Sequence, residues 1–322
     1  MRSLILAALI AVPAPAPTPA MAETIYVSNE RGNSITVIDA ATMKPVAIWP
    51  VGARPRGLTM SRDGKYLYVC ASNDHAVQVI DRATGKVLYD LPSGEDPEQF
   101  ALSVDGRTLF AANERDAAVT AIDIPGRRVA FQVDVGIEPE GMATSPDGKW
   151  VIATSETDNK AHWIDIATGK MVAETEVDQR PRHAEFTADG RELWVTAEIG
   201  GTLQIIDTST RKVAHSIVFK PPGVTSDKVL PVGVHFTPDG RKALVALGRA
   251  NMVAIVDTAS RTVTGYVPVG QRVWHLGISR DGTRAYAANG LSDTLSVIDI
   301  AAAKEITQIS TGDAPWGVVV AP

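Results

Sequence analysis

Seven positions with regular spacing along the chain carry mostly charged or aromatic residues. Their occupants are Arg56, Glu98, Glu140, Arg182, Val232, Trp274 and Trp316, spaced 42 residues apart except for one interval of 50. His183 and His275 directly follow two of them. Arginine and glutamate bind ions and polar groups, and tryptophan is a frequent interface anchor. If the fold gathers these side chains, they form the candidate ligand- or partner-binding site.

Histidines and glutamates close to this position could instead bind a metal. The candidate ligands are His183, Glu185, His235 and His275, since imidazole with carboxylate suits zinc or a similar ion. Glutamates from successive repeats could alternatively hold calcium. No spacing motif supports either metal, because each repeat contributes its residues separately, and Glu185 with His235 could simply form a hydrogen-bonded pair. The sequence therefore predicts no metal and no other cofactor.

Recognised catalytic motifs are absent from the sequence. It contains no Gly-x-Ser-x-Gly elbow, no phosphate-binding Walker loop, no dinucleotide fingerprint and no His-Glu-x-x-His. Without Cys-x-x-Cys-His, covalently attached haem is excluded. These absences favour a binding protein over an enzyme. Two alternatives stay open: a metal-dependent, lactonase-like hydrolase that uses the same residues, and a protein that binds haem or a quinone non-covalently.

The element that must position these residues is a repeat of about forty residues. An Ile-Asp or Val-Asp pair recurs at Asp39, Asp81, Asp123, Asp165, Asp207, Asp257 and Asp299, and an Asp-Gly pair keeps the same spacing. Self-similarity of this length indicates a stacked or radial repeat architecture.

Each repeat has the pattern of four short strands. In one unit these are Gly141–Thr144, Trp150–Thr154, Ala161–Ile166 and Met171–Val177, separated by polar loops and by Asp-Gly or Thr-Gly turns. Apolar residues on both faces of such a sheet require cover on both sides, which radial stacking provides. The aspartates are expected to cap turns.

The two ends of the chain predict how the ring closes. The N-terminal segment begins with the second strand of a unit, Thr24–Ser28, and the C-terminal segment ends with an unpaired first strand, Pro315–Val320. Together they complete a seventh unit. The predicted fold is therefore an all-β, seven-bladed β-propeller over residues 23–322, closed by pairing of its N- and C-terminal strands.

One face of such a ring varies between repeats and is the predicted channel mouth. Besides the residues above, its loops supply Glu30, Glu114, Glu156, Glu198, Arg31, Arg115 and Arg249. An eight-residue insertion within 220–230 is expected to cap this mouth.

Two segments carry a resemblance to a known family. Residues 61–69 (SRDGKYLYV) and 77–87 (VQVIDRATGKV) resemble the YVTN-type β-propeller repeat. Length and layout further resemble the propeller proteins associated with PQQ-dependent catabolism. That resemblance implies a role in periplasmic alcohol oxidation or an associated transport system. The implied partner is a quinoprotein dehydrogenase, a cytochrome or an ABC-transport component.

Composition and the first 22 residues set the remaining expectations. Residues 1–22 have a basic start, a short apolar core and a small-residue cleavage pattern, which predicts a signal peptide and a periplasmic or secreted protein. No later segment is apolar enough to span a membrane. Without the leader the net charge changes from −6 to −7, with no basic cluster, so no nucleic-acid partner is expected. The single cysteine, Cys70, is expected to be buried.

Overall fold

A computed structural model describes residues 23–322, which form seven four-stranded antiparallel sheets. The predicted signal peptide, residues 1–22, lies outside the described residues. Within the described part, no helix has the length and apolar character needed to cross a membrane.

Between residues 23 and 322, twenty-eight strands follow one another, each six or seven residues long. The first half comprises β1 (Thr24–Asn29), β2 (Ser34–Asp39), β3 (Lys44–Pro50), β4 (Pro55–Met60), β5 (Tyr66–Ala71), β6 (Ala76–Asp81), β7 (Val87–Pro92), β8 (Pro97–Leu102), β9 (Thr108–Asn113), β10 (Ala118–Asp123), β11 (Arg128–Asp134), β12 (Pro139–Thr144), β13 (Trp150–Ser155) and β14 (Lys160–Asp165). The second half comprises β15 (Lys170–Glu176), β16 (Pro181–Phe186), β17 (Glu192–Ala197), β18 (Thr202–Asp207), β19 (Lys212–Val218), β20 (Pro231–Phe236), β21 (Lys242–Leu247), β22 (Met252–Asp257), β23 (Thr262–Pro268), β24 (Val273–Ile278), β25 (Arg284–Asn289), β26 (Thr294–Asp299), β27 (Lys304–Ser310) and β28 (Pro315–Ala321). Three short 3₁₀ turns cover Ser72–Asp74, Ser226–Lys228 and Gly248–Ala250.

The sheets are arranged as blades around a central axis. Blades 1 to 6 begin with the inner strands β4, β8, β12, β16, β20 and β24, and blade 7 combines β28 with β1, β2 and β3. Each inner strand contacts the inner strand of the next blade, and β28 contacts both β24 and β4. Pairing of Val27 with Val318 and of Ile25 with Val320 joins the two ends of the chain. The predicted seven-bladed ring and its closure are confirmed.

The hydrophobic core lies between neighbouring blades. Between blades 3 and 4, for example, Ile152 and Trp163 from one sheet pack with Phe186 and Leu193 from the next. This arrangement explains the apolar residues on both faces of each sheet, because every sheet is covered twice. Cys70 is fully buried, as expected, and burial raises the pKa of its thiol.

Side chains cap the turns of the repeat, and this explains the regular aspartates. In each Ile-Asp or Val-Asp pair the carboxylate accepts a hydrogen bond from a backbone N–H two or three residues ahead, as Asp165 does from Thr168 at 2.8 Å. The glycine of each Asp-Gly pair has a positive φ, which glycine adopts without steric strain. The expected capping role of these aspartates is confirmed.

Each inner strand carries a bulge near its start, and this bulge shapes the axial channel. In β12 the pairing with β13 shifts between Pro139 and Met142, and the same shift recurs in the other inner strands. Bulges re-aim side chains, so the second and third residues of an inner strand, such as Arg182 and His183, both lie near the axis.

The eight-residue insertion does not close the mouth. Its flanks Phe219 and Val229 are buried in the apolar layer between blades 4 and 5, with Val224 packed against it. Only Leu230 contributes to the cavity described below. The expected cap is therefore wrong, because the insertion packs mainly against the layer between blades 4 and 5 and adds one residue to the cavity wall.

Candidate functional site

A cavity of about 370 Å³ opens at the mouth of the axial channel, on the face of the variable loops. Its walls are mainly charged: Arg54, Arg56, Arg180, Arg182, Arg249, Arg272, Glu114, Glu140, Glu156 and Glu198, together with Trp274, Ile199 and Leu230. Most of these side chains come from the starts of inner strands or from the loops just before them. The site is thus assembled from several blades, none of which could form it alone.

Two arginines of blade 1 form the first group of ion pairs. Arg54 contacts Asp96 at 2.5 Å and Glu98 at 3.0 Å, and Arg56 contacts Glu30 at 2.9 Å and also pairs with Glu98. Glu98 is fully buried, so it depends on these arginines for charge compensation.

The second group centres on Arg182, which is almost completely buried. It contacts Glu140 at 2.7 Å, pairs with Glu156, and lies 3.6 Å from Glu198. Glu198 also contacts Arg180 at 3.1 Å and Arg272 at 2.7 Å. One carboxylate therefore links arginines from the starts of blades 4 and 6.

Two glutamates of this network have pKa values well above the usual range. Burial, a hydrogen bond with Glu98 and the charge of Glu98 raise the pKa of Glu114 to about 8. Burial also raises the pKa of Glu140, against the pull of Arg182, and the nearby Glu156 adds to the increase. The pKa of Glu198 moves the other way, because Arg182 and Arg272 outweigh its burial. Glu114 therefore mostly keeps its proton at neutral pH, and the cavity wall has six arginines against its three other glutamates.

Trp274 stacks with two of these arginines. The guanidinium carbon of Arg272 lies 3.8 Å from its ring centroid and that of Arg182 lies 5.7 Å away. Such contacts stabilise a cation over an indole face. Trp274 therefore holds the arginines in place as well as lining the cavity.

A second layer lies below the mouth and contains the other aromatic candidates. Trp316 is 1% exposed, its ring centroid lies 4.2 Å from that of His275, and its Nε1 has no hydrogen-bond acceptor among residues 23–322. His183 lies 5.3 Å from His275 and 5.0 Å from His235, measured between ring centroids. Burial lowers the pKa values of His183 and His275 well below the usual range.

The structure brings together only part of the set predicted from the sequence. Arg56, Glu140, Arg182 and Trp274 line the cavity, and Glu98 lies directly behind it. His183, His275 and Trp316 belong to the deeper layer and do not line the cavity. The eight residues were expected to form one ring at the mouth, but in the structure they lie in two layers.

Three charged lining residues went unrecognised in the sequence: Arg54, Arg180 and Arg272. Each directly precedes its inner strand and has a positive φ of 54–58°, which is uncommon outside glycine. An asparagine in a loop of the preceding blade fixes each of these positions. Asn159, for example, accepts a hydrogen bond from the Arg180 N–H at 2.9 Å. The spacing of the repeat could have identified these arginines, since residues 54, 96, 138, 180, 272 and 314 occupy equivalent positions and all have a positive φ.

The acidic residues of the mouth do not form a calcium site in this structure. Asp96, Glu98 and Glu114 bring carboxylate oxygens close together, but Arg54, Arg56 and Arg115 contact Asp96 or Glu98. Glu140 and Glu156 are paired with Arg182. Guanidinium groups occupy the positions that a cation would need.

Fold and site together define a β-propeller with a charged axial cavity, and comparisons with known proteins agree with that class. Residues 20–101 match the YNCE-like beta-propeller family, and residues 72–174 match the cytochrome D1 heme domain. The expected resemblance to β-propeller repeat proteins is confirmed. No curated protein shows significant sequence similarity to the chain.

Solved structures show the same fold at low sequence identity. Hydrazine synthase of Kuenenia stuttgartiensis is 24% identical with a TM-score of 0.77, covering 86% of this chain and 92% of that one. A candidate 6-phosphogluconolactonase of Bacteroides fragilis is 19% identical with a TM-score of 0.79, covering 95% and 100%. Dihydro-heme d1 dehydrogenase NirN is 16% identical with a TM-score of 0.68, covering 96% and 77%. In all, 1750 chains match, so the fold does not select one function.

Proposed function

We propose that this protein is a non-catalytic binding protein whose axial cavity holds the anionic group of a small molecule or of a partner protein. The observation that carries the proposal is the charge of the cavity wall. Six arginines line it against four glutamates, and burial raises the pKa values of two of these, Glu114 and Glu140. Arginine forms strong, charge-assisted hydrogen bonds with carboxylate and phosphate groups.

Arg249 is the side chain best placed to bind such a group. It lines the cavity from blade 5, is exposed, and forms no ion pair with any residue between 23 and 322. Its neighbours Arg180 and Arg272 are held by Glu198. An incoming anion can therefore bind Arg249 without breaking an existing pair.

The cavity also suggests that the ligand has more than one part. A neighbouring pocket of about 250 Å³ shares Glu156, Arg180 and Ile199 with the cavity, and its other lining residues are polar. Ile199 is 60% exposed on the rim. A ligand with an anionic head and a polar or partly apolar tail would fill both.

The alternative function is that of a lactonase-like hydrolase, which the fold of the Bacteroides fragilis neighbour favours. A hydrolase needs a nucleophile or a metal-bound water at the mouth. Arginines pair with the mouth carboxylates, and the clustered histidines lie in the deeper layer. Binding therefore fits the cavity better than hydrolysis.

The proposed setting comes from the leader and from the family resemblance. We expect export to the periplasm or the medium after cleavage before Glu23. We further expect a quinoprotein dehydrogenase, a cytochrome or a transport component to be the partner in PQQ-dependent alcohol catabolism. N-terminal sequencing of the exported protein and co-purification from its source would test these two points.

Calorimetric titration at pH 7 and low salt tests anion binding directly. The probes are gluconate, 6-phosphogluconate and inorganic phosphate, with neutral gluconolactone for comparison. The anions should bind, and Arg249→Gln should weaken their binding about 10- to 100-fold, since a hydrogen bond to a charged group contributes about 1.5–3 kcal/mol.

Arg241→Gln is the matched control, because Arg241 is an exposed arginine on the opposite, hairpin face. It should leave anion affinity unchanged. Equal loss in both variants would indicate non-specific charge effects, and stronger binding or turnover of the neutral lactone would favour the hydrolase.

A further inference from the structure

Three histidines from consecutive blades meet below the mouth. His183 of blade 4, His235 of blade 5 and His275 of blade 6 each offer a ring nitrogen, and these nitrogens all lie within 4.8 Å of one another. Within residues 23–322 no hydrogen bond joins any two of these rings. Three facing nitrogens with no hydrogen bond between them form a natural site for an electrophile such as a metal ion.

The surroundings of His235 resemble those of a metal ligand. Glu185 of the adjacent blade contacts Nδ1 of His235 at 2.7 Å, which leaves Nε2 as the free nitrogen. Its other carboxylate oxygen accepts the backbone N–H of Phe236 at 3.2 Å, so the carboxylate is itself held. A carboxylate that orients the outer nitrogen is the usual partner of a metal-bound histidine.

Close packing holds the ring of His275 beside blade 5. A Cβ atom added at Gly233 would lie 2.9 Å from Nδ1 of His275 and 3.0 Å from its Cα. Glycine at this position therefore lets the two inner strands approach closely, which keeps the ring near the other two histidines. The side-chain amide of Gln99 also contacts Nε2 of His275, at 3.4 Å.

We propose that His183, His235 and His275 bind one zinc-type divalent ion, with Glu185 orienting His235. Three imidazoles without a carboxylate ligand favour zinc and neighbouring transition metals over magnesium or calcium. Zinc bonds of about 2.0–2.1 Å place tetrahedral ligands roughly 3.4 Å apart, so nitrogens that now lie within 4.8 Å of one another must approach by up to about 1.4 Å. His235 can move most easily, since its side chain is 32% exposed whereas the other two are buried.

Zinc binding should change one backbone hydrogen bond, and this change can be measured. Nδ1 of His183 accepts the Val234 N–H at 3.3 Å, a long contact for a hydrogen bond. Coordination through Nε2 places the ring proton on Nδ1, so this contact is lost. The Phe236 N–H keeps its bond to Glu185 and provides an internal comparison two residues away.

This site is separate from the arginine cavity. None of the three histidines lines the cavity, whereas Glu185 lines a groove of about 690 Å³ on the hairpin face, between blades 4 and 5. An ion would therefore reach the histidines from the hairpin face. Metal binding and anion binding can succeed or fail independently.

The experiment measures metal binding to the full protein after chelator treatment. Calorimetry with zinc should show one ion per chain, and cobalt should give the visible absorption of a tetrahedral site. His235→Ala should weaken zinc binding more than 100-fold and Glu185→Gln about 10- to 100-fold, which is the usual effect of losing a carboxylate partner. Hydrogen exchange should speed up at Val234 on loading and stay unchanged at Phe236.

His215→Ala is the matched control, since His215 is exposed on the outer strand β19. It should bind zinc like the unchanged protein. The proposal is overturned if no stoichiometric ion binds, or if His235→Ala binds zinc as tightly as His215→Ala does. Unchanged exchange at Val234 would contradict coordination by His183.

Discussion

Nη2 of Arg182 lies 2.7 Å from the Glu140 carboxylate, and both side chains are at most 5% exposed. These residues occupy the same repeat position in neighbouring blades, so the pair ties two adjacent inner strands together beside the axis. A buried pair of this kind depends on both members, because either one alone would be an uncompensated charge.

Replacing Arg182 with methionine should strongly destabilise the ring. The substitution leaves Glu140 and Glu156 without their shared cation, and breaking a buried pair costs about 3–5 kcal/mol. Urea unfolding would measure the loss. Adding Glu140→Gln should restore part of it, because the two changes are coupled. Arg115→Met, which removes a largely exposed partner of Asp96, should cost no more than about 1 kcal/mol.

Glu114 should make the protein less stable as pH rises. Its pKa is about 8 in the folded protein against an ordinary value of 4.5, so between those values the folded state binds more protons than the unfolded state. The destabilisation is absent below pH 4.5, grows through the window and is complete above pH 8. Glu114→Gln removes it and should be more stable than the unchanged protein by about 1–2 kcal/mol at pH 9, allowing for partial exposure.

Urea unfolding of both proteins at pH 5, 7 and 9 tests this dependence. The exposed Glu95→Gln, on the loop before β8, serves as the control and should follow the unchanged protein. Parallel pH profiles for Glu114→Gln and the unchanged protein would show that Glu114 does not hold the extra proton.

Replacing Trp316 should mainly reduce stability, whereas replacing Trp274 should mainly reduce anion binding. Trp316 is fully buried, so Trp316→Ala should lower the free energy of unfolding by about 3–5 kcal/mol. Trp274 is only partly buried and stacks on Arg272. Trp274→Ala should lose about 1–2 kcal/mol and weaken anion binding by releasing Arg272. Thermal unfolding and calorimetry on both variants would show the contrast. Equal losses of stability would contradict the two-layer arrangement.

The ring could be predicted from the sequence because its signals are local and repeated. Asp165 and its equivalents mark turns through their own hydrogen bonds, and the spacing of these turns sets the blade length. The ends of the chain revealed closure, since the N-terminal segment starting at Thr24 lacks a first strand and the C-terminal segment ends with an extra one, with which it pairs.

The depth of each site residue could not be predicted in the same way. Arg182 and His183 are adjacent in sequence, yet the bulge in β16 places one at the cavity wall and the other in the layer beneath it. Trp274 and Trp316 share a repeat position and still differ in burial, because Arg272 stacks on one whereas His275 packs against the other. Such differences arise from contacts between blades, which no single repeat encodes.

Gly141 offers a test of how closely neighbouring inner strands must approach. A Cβ added there would lie 2.6 Å from the backbone oxygen of Arg182 and 2.9 Å from the Cα of His183. Because both contacts are backbone, the atoms cannot turn away, and Gly141→Ala must push blades 3 and 4 apart. We expect a loss of at least about 2 kcal/mol, within the range for overpacking, together with weaker anion binding because Arg182 shifts.

Gly265→Ala is the matched change on the outer strand β23. Its added Cβ would meet only the Ala303 side chain, at 3.4 Å, so stability should change by less than about 0.5 kcal/mol. Urea unfolding and anion titration of both variants decide the matter. If Gly141→Ala kept both its stability and its anion affinity, the inner strands would not be packed too closely to accept a Cβ atom. The positions of Arg182 and His183 would then not depend on the close contact between blades 3 and 4.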